Sequence, residues 1–358
     1  VNSALTLKTF TDTGCATHLI GCRATKDAVL IDPKAGQTET YLETARRMGL
    51  RIRFVLDTHT HADHVSDSAS FLGRGVELWM SAETTCKRPH RAIADGEEVR
   101  VGELRLRALH VPGHTPDSIA LYGHGIVATG DTLLAGSLGR ADFRGSDPSQ
   151  LFENVRAKLL ALPDETLVLP GHGYRDVLFS TIGHERAHNP ALRADSGASY
   201  ASALGLQPGA GNSRDVDEVL ALNVEARPRM WKAPRKVAAC CAAAPSQGLE
   251  RPAELEPEAL ATALEHYATQ HRWIDVRDPY EFAQEHIPGT WNIPLSELGL
   301  HLEELRRADP VVISCRSGVR SITAARTLRY LRILSEPISL AGGIVRWHAR
   351  GLPIAKSA

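Results

Sequence analysis

Cysteine is scarce in this chain: six among 358 residues, at Cys15, Cys22, Cys86, Cys240, Cys241 and Cys315. No two stand in a C-x-x-C pair, which argues against a zinc ribbon and a disulfide scaffold. A reducing, cytoplasmic setting is the default expectation. An excess of one charge is lacking too. The 41 lysines and arginines nearly balance 42 aspartates and glutamates, for a formal net charge of -1. Nothing electrostatic therefore argues for nucleic acid or an anionic membrane as partner. Uninterrupted apolar runs reach only a few residues, far short of a membrane-spanning helix. Val1 to Phe10 lack the basic, apolar, then small pattern of a secretory signal, so none is expected. No internal repeat is visible. What is present is ordinary for a folded protein: 43% hydrophobic and 23% charged residues, which excludes disorder for most of the chain. At about 150 residues per domain, the length predicts two domains.

Along residues 1 to 190, short strands and helices alternate, the mark of an α/β protein. Asp27–Asp32 reads as an apolar strand, Thr38–Met48 as a helix with Gly49 as its C-cap, and Arg51–Asp57 as a strand ending at a histidine cluster. Leu104–Leu109 alternates apolar and charged residues, as a half-buried strand does. Ile119–Tyr122 and Ile126–Thr129 flank a Gly-His-Gly turn, Leu151–Leu162 has helical spacing, and Leu167–Leu169 runs into Pro-Gly-His. Residues 195 to 255 are rich in Ala, Gly, Ser and Pro; Asp215–Leu222 is a short helix candidate, and Arg227–Lys236 is basic and broken by prolines. The chain is thus assigned to a first domain over 1–235, a linker over 236–255 and a second domain over 256–358. In the last, Pro257–His271 is a helix candidate, Trp273–Val276 and Val311–Ser314 are buried strands, and Ser321–Tyr330 is a helix. That is a parallel-sheet pattern.

Sixteen histidines are the unusual feature. Thr58–Val65 reads T-H-T-H-A-D-H-V and places His59, His61, Asp63 and His64 within six residues. His114, Asp131 and His172 follow, each directly after a glycine and each just past a predicted strand. Imidazole and carboxylate are the ligand types of zinc, iron and manganese. Glycine lets the backbone turn sharply there, and loops at strand ends are where sites are built. A lone histidine is usually structural; seven ligand-type residues at strand ends point to a metal site.

H-x-H-x-D-H followed by distant G-H, G-D and G-H resembles the metallo-β-lactamase superfamily over about residues 1 to 190. The resemblance implies an αββα sandwich. Two branches fit, the glyoxalase II-type thioester hydrolases and the glutathione-dependent persulfide dioxygenases. Gly139-Arg140-Ala141-Asp142-Phe143, His172-Gly173-Tyr174 and Asn189-Pro190 resemble motifs of the second, although Gly173 stands where an acid is usual. That branch implies one iron(II) per chain, held by His59, His114 and Asp131, a facial set that leaves positions open. His61, Asp63, His64 and His172 would orient the ligands or hold a second metal, and Tyr174 would lie close to the metal or substrate. Zinc is the alternative metal.

Cys315-Arg316-Ser317-Gly318-Val319-Arg320-Ser321 lies between a buried strand and a helix. Loop N–H groups and a helix N-terminus form an anion nest, and with Arg316 and Arg320 nearby they are expected to favour a thiolate. Cysteine-type phosphatases need an arginine six residues after the cysteine; here it stands five after. The shorter loop suits sulfur transfer. Ile274-Asp275-Val276-Arg277, His286-Ile287-Pro288-Gly289, Asn292-Ile293-Pro294 and Ala341-Gly342-Gly343 with Trp347 resemble a rhodanese domain over about 256 to 356. That implies a Cys315 persulfide intermediate. Asp275 and Arg277 are expected to be structural.

Together the resemblances imply a bifunctional sulfur enzyme. Its first domain would oxidise glutathione persulfide with O2 to sulfite and glutathione. Its second would move sulfur between thiosulfate, sulfite and glutathione persulfide. Arg140, Tyr174, Arg186, Arg229 and Trp231 are the candidate glutathione contacts. Neither nucleic acid nor membrane is expected as a partner, and a homodimer is compatible with the chain. Cys240 and Cys241 read as incidental residues of an Ala-rich stretch, and Cys15, Cys22 and Cys86 have no motif around them. The competing readings are a two-zinc thioester hydrolase with an appended rhodanese, and a sulfur-carrier or sensing module with a degenerate metal site.

Overall fold

The computed structural model describes residues 4–12, 14–173, 177–203, 205, 214–225, 250–262, 273–308 and 310–356. Tyr174, Arg229, Trp231, Cys240, Cys241 and most of the expected linker lie outside the described residues. The described residues divide into two units, 4–173 with 179–225, and 250–356 with 177–178.

In the first unit, six strands form one sheet in the order β1-β2-β3-β4-β5-β6. These are β1 (Leu5–Asp12), β2 (Cys15–Cys22), β3 (Asp27–Ile31), β4 (Arg51–Leu56), β5 (Glu77–Ser81) and β6 (Arg91–Ile93). The hairpin β1–β2 was not expected; β2 is buried along nearly its whole length and shows no alternation to betray it. Strands β3 to β6 pair in parallel, and the apolar runs of β3 and β4 suit strands covered on both faces. Helix Thr38–Arg47 packs Tyr41 and Ala45 against Leu19, Leu30 and Val55. It ends as predicted at Gly49 (φ +67), where Gly49 N–H bonds Arg46 O and Leu50 N–H bonds Ala45 O, a Schellman stop sealed by buried Leu50.

The second sheet contains β7 (Glu98–Val101), β8 (Leu104–His110), β9 (Ile119–Gly123) and β10 (Ile126–Gly130). A short ribbon, β11 (Leu133–Leu134) with β12 (Ser137–Leu138), precedes β13 (Leu167–Pro170) and β14 (Ser180–Thr181). The sheet order is β14-β13-β10-β9-β8-β7. On β8, Leu104, Leu106 and Ala108 are buried while Arg105 and Arg107 face water, the predicted alternation. The helix expected at Leu151–Leu162 starts earlier, at Pro148, because the Asp147 carboxylate accepts from Gln150 N–H. It widens into a π-turn over Val155–Leu159. Leu151, Phe152 and Leu159 pack on Val127 and Val168. Helix, sheet, sheet and helix make the αββα sandwich. His18 on β2 bonds Pro170 O at 2.9 Å, and Ala16 N–H bonds Gly171 O at 2.7 Å, tying the sheets at their strand ends.

The second unit is built on β15 (Ala253–Leu255), β16 (Trp273–Asp275), β17 (Trp291–Asn292), β18 (Val312–Ser314) and β19 (Ile338–Leu340). All pair in parallel, in the order β15-β19-β18-β16-β17. Trp273 and Trp347 meet edge to face at 5.4 Å in a core with Val312, Leu340 and Ile344. The described helix from Pro257 reaches Ala261; the remainder of the expected stretch lies mostly outside the described residues. Asp275 and Arg277 form a buried ion pair at 2.8 Å, and Arg277 also bonds Glu285 O, which ties β16 to the following helix. Among the described residues no helix is long and apolar enough to cross a membrane.

Candidate functional site

His59, His114 and Asp131 arrive from three strand ends, those of β4, β8 and β10. One ligand atom of each lies within 4.8 Å of the others, and all three residues are buried. His59 Nε2 and His114 Nε2 stand 3.9 and 3.7 Å from Asp131 Oδ2. The hydrogen bonds assign both tautomers. Thr58 Oγ1 donates to Asp32 Oδ2 at 2.7 Å, so toward His59 Nδ1, at 2.9 Å, it can only accept. His114 Nδ1–H donates to Arg140 O at 2.8 Å. Each ring keeps its Nδ1 bonded and leaves Nε2 facing Asp131 Oδ2. His59 Nε2 and Asp131 Oδ2 are buried with no hydrogen-bond partner. Burial without a partner is costly, and a cation between these atoms would satisfy them. The residues fit a metal.

Charge states agree. Burial, then the neighbouring His61 and His114, lowers the pKa of His59 to about 3, and burial lowers that of His61 to about 4. Both are neutral imidazoles near pH 7, the form that ligates. Burial pushes the Asp131 carboxyl up, but His172 outweighs it, and the group titrates below the usual range.

A second row of side chains continues from Asp131. Its Oδ1 faces His172 Nδ1 at 2.7 Å, His172 Nε2 faces Asp63 Oδ2 at 3.0 Å, and Asp63 Oδ2 faces His64 Nδ1 at 2.9 Å. Burial opposes charge on His64, yet the Asp63 carboxylate overcomes it and raises His64 to about 10. His61 Nε2 lies 3.2 Å from Asp32 Oδ1. Both ring nitrogens of His61, Asp63 Oδ1 and His64 Nε2 are buried without a hydrogen-bond partner.

Two residues of this neighbourhood, Cys15 and Asp32, carried no sequence signal. Cys15 Sγ lies 3.4 Å from Asp63 Oδ2 and 3.9 Å from His64 Nδ1. Burial raises its thiol pKa, but hydrogen bonding to His172 and His64 prevails and lowers it. Asp32, at φ +53, receives Thr58 N–H and Oγ1–H on its two oxygens. Thr58 relays that hold to His59. Glycines make the approach close enough. A Cβ on Gly171 would stand 2.6 Å from Asp131 Oδ1, and one on Gly139 would overlap the Asp131 carbonyl oxygen.

The arginines proposed for glutathione have other partners. Arg140 forks onto Asp142 at 2.8 and 3.1 Å and enters the site through its carbonyl rather than its guanidinium. Arg186 is engaged with Asp164 and the carbonyls of Leu160 and Leu162, none of which belongs to the cluster. Tyr174, Arg229 and Trp231 lie outside the described residues. Asn189 is buried, capping Ala191 N–H and donating to Ser137 O and Glu185.

In the second unit Cys315 follows β18 and is buried. Gly318 N–H and Ser321 N–H point at its Sγ from 3.2 and 3.4 Å, and Ser321 Oγ lies at 3.5 Å. Gly318 at φ +95 turns the loop into helix Val319–Tyr330. Ser317 belongs to this turn, and Arg316 and Val319 are exposed. Arg320 is not free beside the sulfur: both its terminal nitrogens bond Glu281, at 2.7 and 2.8 Å. The loop is thus a sulfur cradle of backbone donors, able to stabilise an anionic sulfur.

Both units resemble known families. Residues 11–172 match the family model of the metallo-beta-lactamase superfamily, and residues 256–350 match that of the rhodanese-like domain. Human mitochondrial persulfide dioxygenase ETHE1 is 34% identical over 183 residues, covering 49% of this chain and 70% of that protein. Hydroxyacylglutathione hydrolase GloC of Haemophilus influenzae is 32% identical over 195 residues, covering 48% of this chain and 90% of that protein. The crystal structure of ETHE1 from Myxococcus xanthus aligns with a TM-score of 0.57 at 34% identity, over 62% of this chain and 99% of that one.

Proposed function

The chain belongs to the metallo-β-lactamase superfamily and carries a C-terminal rhodanese-like domain, and from that premise we propose that it is a two-site enzyme of sulfane sulfur. The first site oxidises glutathione persulfide with O2, and the second transfers sulfur through Cys315. The convergence of two imidazoles and one carboxylate carries the first half. Each presents a single atom, and all three atoms lie within 4.8 Å of one another.

His59, His114 and Asp131 would hold one iron(II), which when bound would supply the redox chemistry that O2 requires. The chain's own groups set the frame. Asp131 Oδ1 is taken by His172, so only Oδ2 is left to ligate. Thr58 and the Arg140 carbonyl keep each Nε2 turned inward. The Phe143 ring meets His114 edge to face at 5.1 Å and shields it from water. Arg140, which touches His114 through its main chain, is our candidate to grip a glutathione carboxylate, its guanidinium exchanging the Asp142 carboxylate for that of the substrate. The reaction balances: persulfide, O2 and water give thiol, sulfite and two protons, with the sulfane sulfur losing the four electrons that O2 gains.

In the second unit, the Cys315 thiolate attacks the sulfane sulfur of thiosulfate. A Cys315 persulfide forms and sulfite leaves. Glutathione thiolate then takes that sulfur, giving glutathione persulfide and restoring Cys315. The N–H groups of Gly318 and Ser321 hold the charge on either sulfur anion.

The test is O2 consumption with glutathione persulfide, on protein purified anaerobically with its iron and zinc counted. Uptake that scales with iron, with sulfite as product, is expected. His59→Ala and Asp131→Ala abolish it and spare thiosulfate:thiol transfer; Cys315→Ser does the reverse. Uptake that persists in a metal-free variant would overturn the ligand assignment.

One observation favours a second reading. The unpartnered atoms of His61, Asp63 and His64 could take another cation, as a two-zinc hydroxyacylglutathione hydrolase would need. Two zinc ions per chain and thioester hydrolysis without O2 would establish it.

A further inference from the structure

Helix Arg214–Glu225 lies beyond the residues that match the metallo-beta-lactamase model, yet one of its side chains reaches the histidine loop. Asn223 is buried. Its Nδ2 donates to the carbonyls of His61 and His64, at 2.8 and 2.9 Å. Its Oδ1 accepts from Ser66 N–H at 3.0 Å and from Arg88 Nη2 at 3.2 Å. Two donors and two acceptors exhaust a carboxamide, and the partners leave no doubt which end is nitrogen. Three main-chain groups within six residues of the loop therefore converge on one side chain about 160 positions away.

The helix is anchored for this purpose. Its last carbonyls would be unpaired, but Asn223 O accepts from Arg88 Nη2 at 2.6 Å and Val224 O from Lys87 N–H at 2.9 Å. A buried cation at a helix C-terminus also suits the helix dipole. Arg88 Nη1 continues to Ser68 Oγ at 2.7 Å, which donates to Asp57 Oδ2 at 2.7 Å. Ser66 Oγ donates to Asp57 Oδ1, also at 2.7 Å. The network closes on the end of the strand that delivers His59.

We propose that Asn223 is the positioning residue of the metal-binding loop, and that docking of its helix is thereby coupled to metal affinity. The loop has no strand partner of its own between Thr60 and Val65. Without the amide, the carbonyls of His61 and His64 lose their donors, and the loop is free to shift. Ligand sets lose affinity when their supporting groups are loosened by about an ångström. This inference rests on reading the cluster as a metal centre.

The experiment is a cobalt(II) titration of full-length wild type and Asn223→Ala, with chelator competition for affinity and the visible absorption bands for geometry. The variant is expected to bind roughly 10- to 100-fold more weakly, with altered bands, while Cys315 alkylates at the wild-type rate. A merely structural role would lower the melting temperature and leave the bands unchanged. Should Asn223→Ala not fold, Asn223→Gln is read in the same assays, since its amide is displaced by one methylene. Wild type that binds no cobalt removes the metal-centre reading and this inference with it. A variant with wild-type affinity and bands leaves that reading standing and overturns the role of Asn223 alone.

Discussion

Thr58→Val isolates the hold on His59. Valine nearly matches threonine in shape, so no cavity opens. What disappears is one hydroxyl that donates to Asp32 Oδ2 and accepts from His59 Nδ1, at 2.7 and 2.9 Å. Asp32 keeps Thr58 N–H on its other oxygen. His59 Nδ1–H keeps nothing that the structure provides in its place. A buried donor left unpaired costs about 1–3 kcal/mol. The metal-free ring escapes this cost by moving its proton to Nε2, whereas a ligating ring must keep it on Nδ1. The difference therefore falls on affinity, roughly 5- to 150-fold. Chelator competition with zinc or cobalt measures it, and Thr58→Ser is expected to restore most of the loss. Thr58→Val binding metal as tightly as wild type would refute the tautomer argument.

The metal-free first unit is expected to be most stable near pH 6.5. The folded pKa values of His59 and His61 are depressed to about 3 and about 4, so the unfolded chain takes up their protons first, and stability falls as pH drops from about 6.5. His64 is raised to about 10, so its contribution is full below about 6.5 and is lost as pH rises toward 10. Urea midpoints measured with chelator present check both limbs; a flat profile between pH 4 and 6.5 would contradict the neutral histidines. Gly139→Ala sets a methyl against the Asp131 carbonyl and 3.1 Å from His114 Nδ1, and should lose metal binding, read by metal content after dialysis, without loss of Cys315 transfer. Gly343→Ala should do the opposite, because at φ +59 its Cβ would overlap the Cys315 carbonyl and stand 2.6 Å from the Arg316 carbonyl. Wild-type rates of thiosulfate:thiol transfer in that variant would count against the cradle.

Local patterns were readable in the chain. His59, His114, Asp131 and His172 each follow an apolar strand, and a strand end fixes where its next side chains go. The parallel sheet around Cys315 and the Gly49 helix stop were legible for the same reason. Contacts closed across sequence were not. Asn223 meets the histidine loop only through hydrogen bonds spanning more than a hundred residues. Asp32 looks like the end of an ordinary strand until its oxygens meet Thr58. Arg140 was legible by its charge, but the bond that its main-chain carbonyl makes to His114 was not. Arg320 likewise looked like a free charge beside the sulfur, and only the fold reveals Glu281 across from it. Cys15 had no motif because its partners, Asp63 and His64, come from a different strand end.

The glycines packed against Asp131 bear on how such a site can change over time. Gly130, Gly139 and Gly171 each lack room for one methyl group, the first against Thr58 and the others against Asp131. Drift in these positions would displace ligands before it could tune them. A side chain at any of the three would push on Thr58 or Asp131 itself rather than reshape the space around them, so room for a different substrate is to be sought in segments that do not pack on these residues.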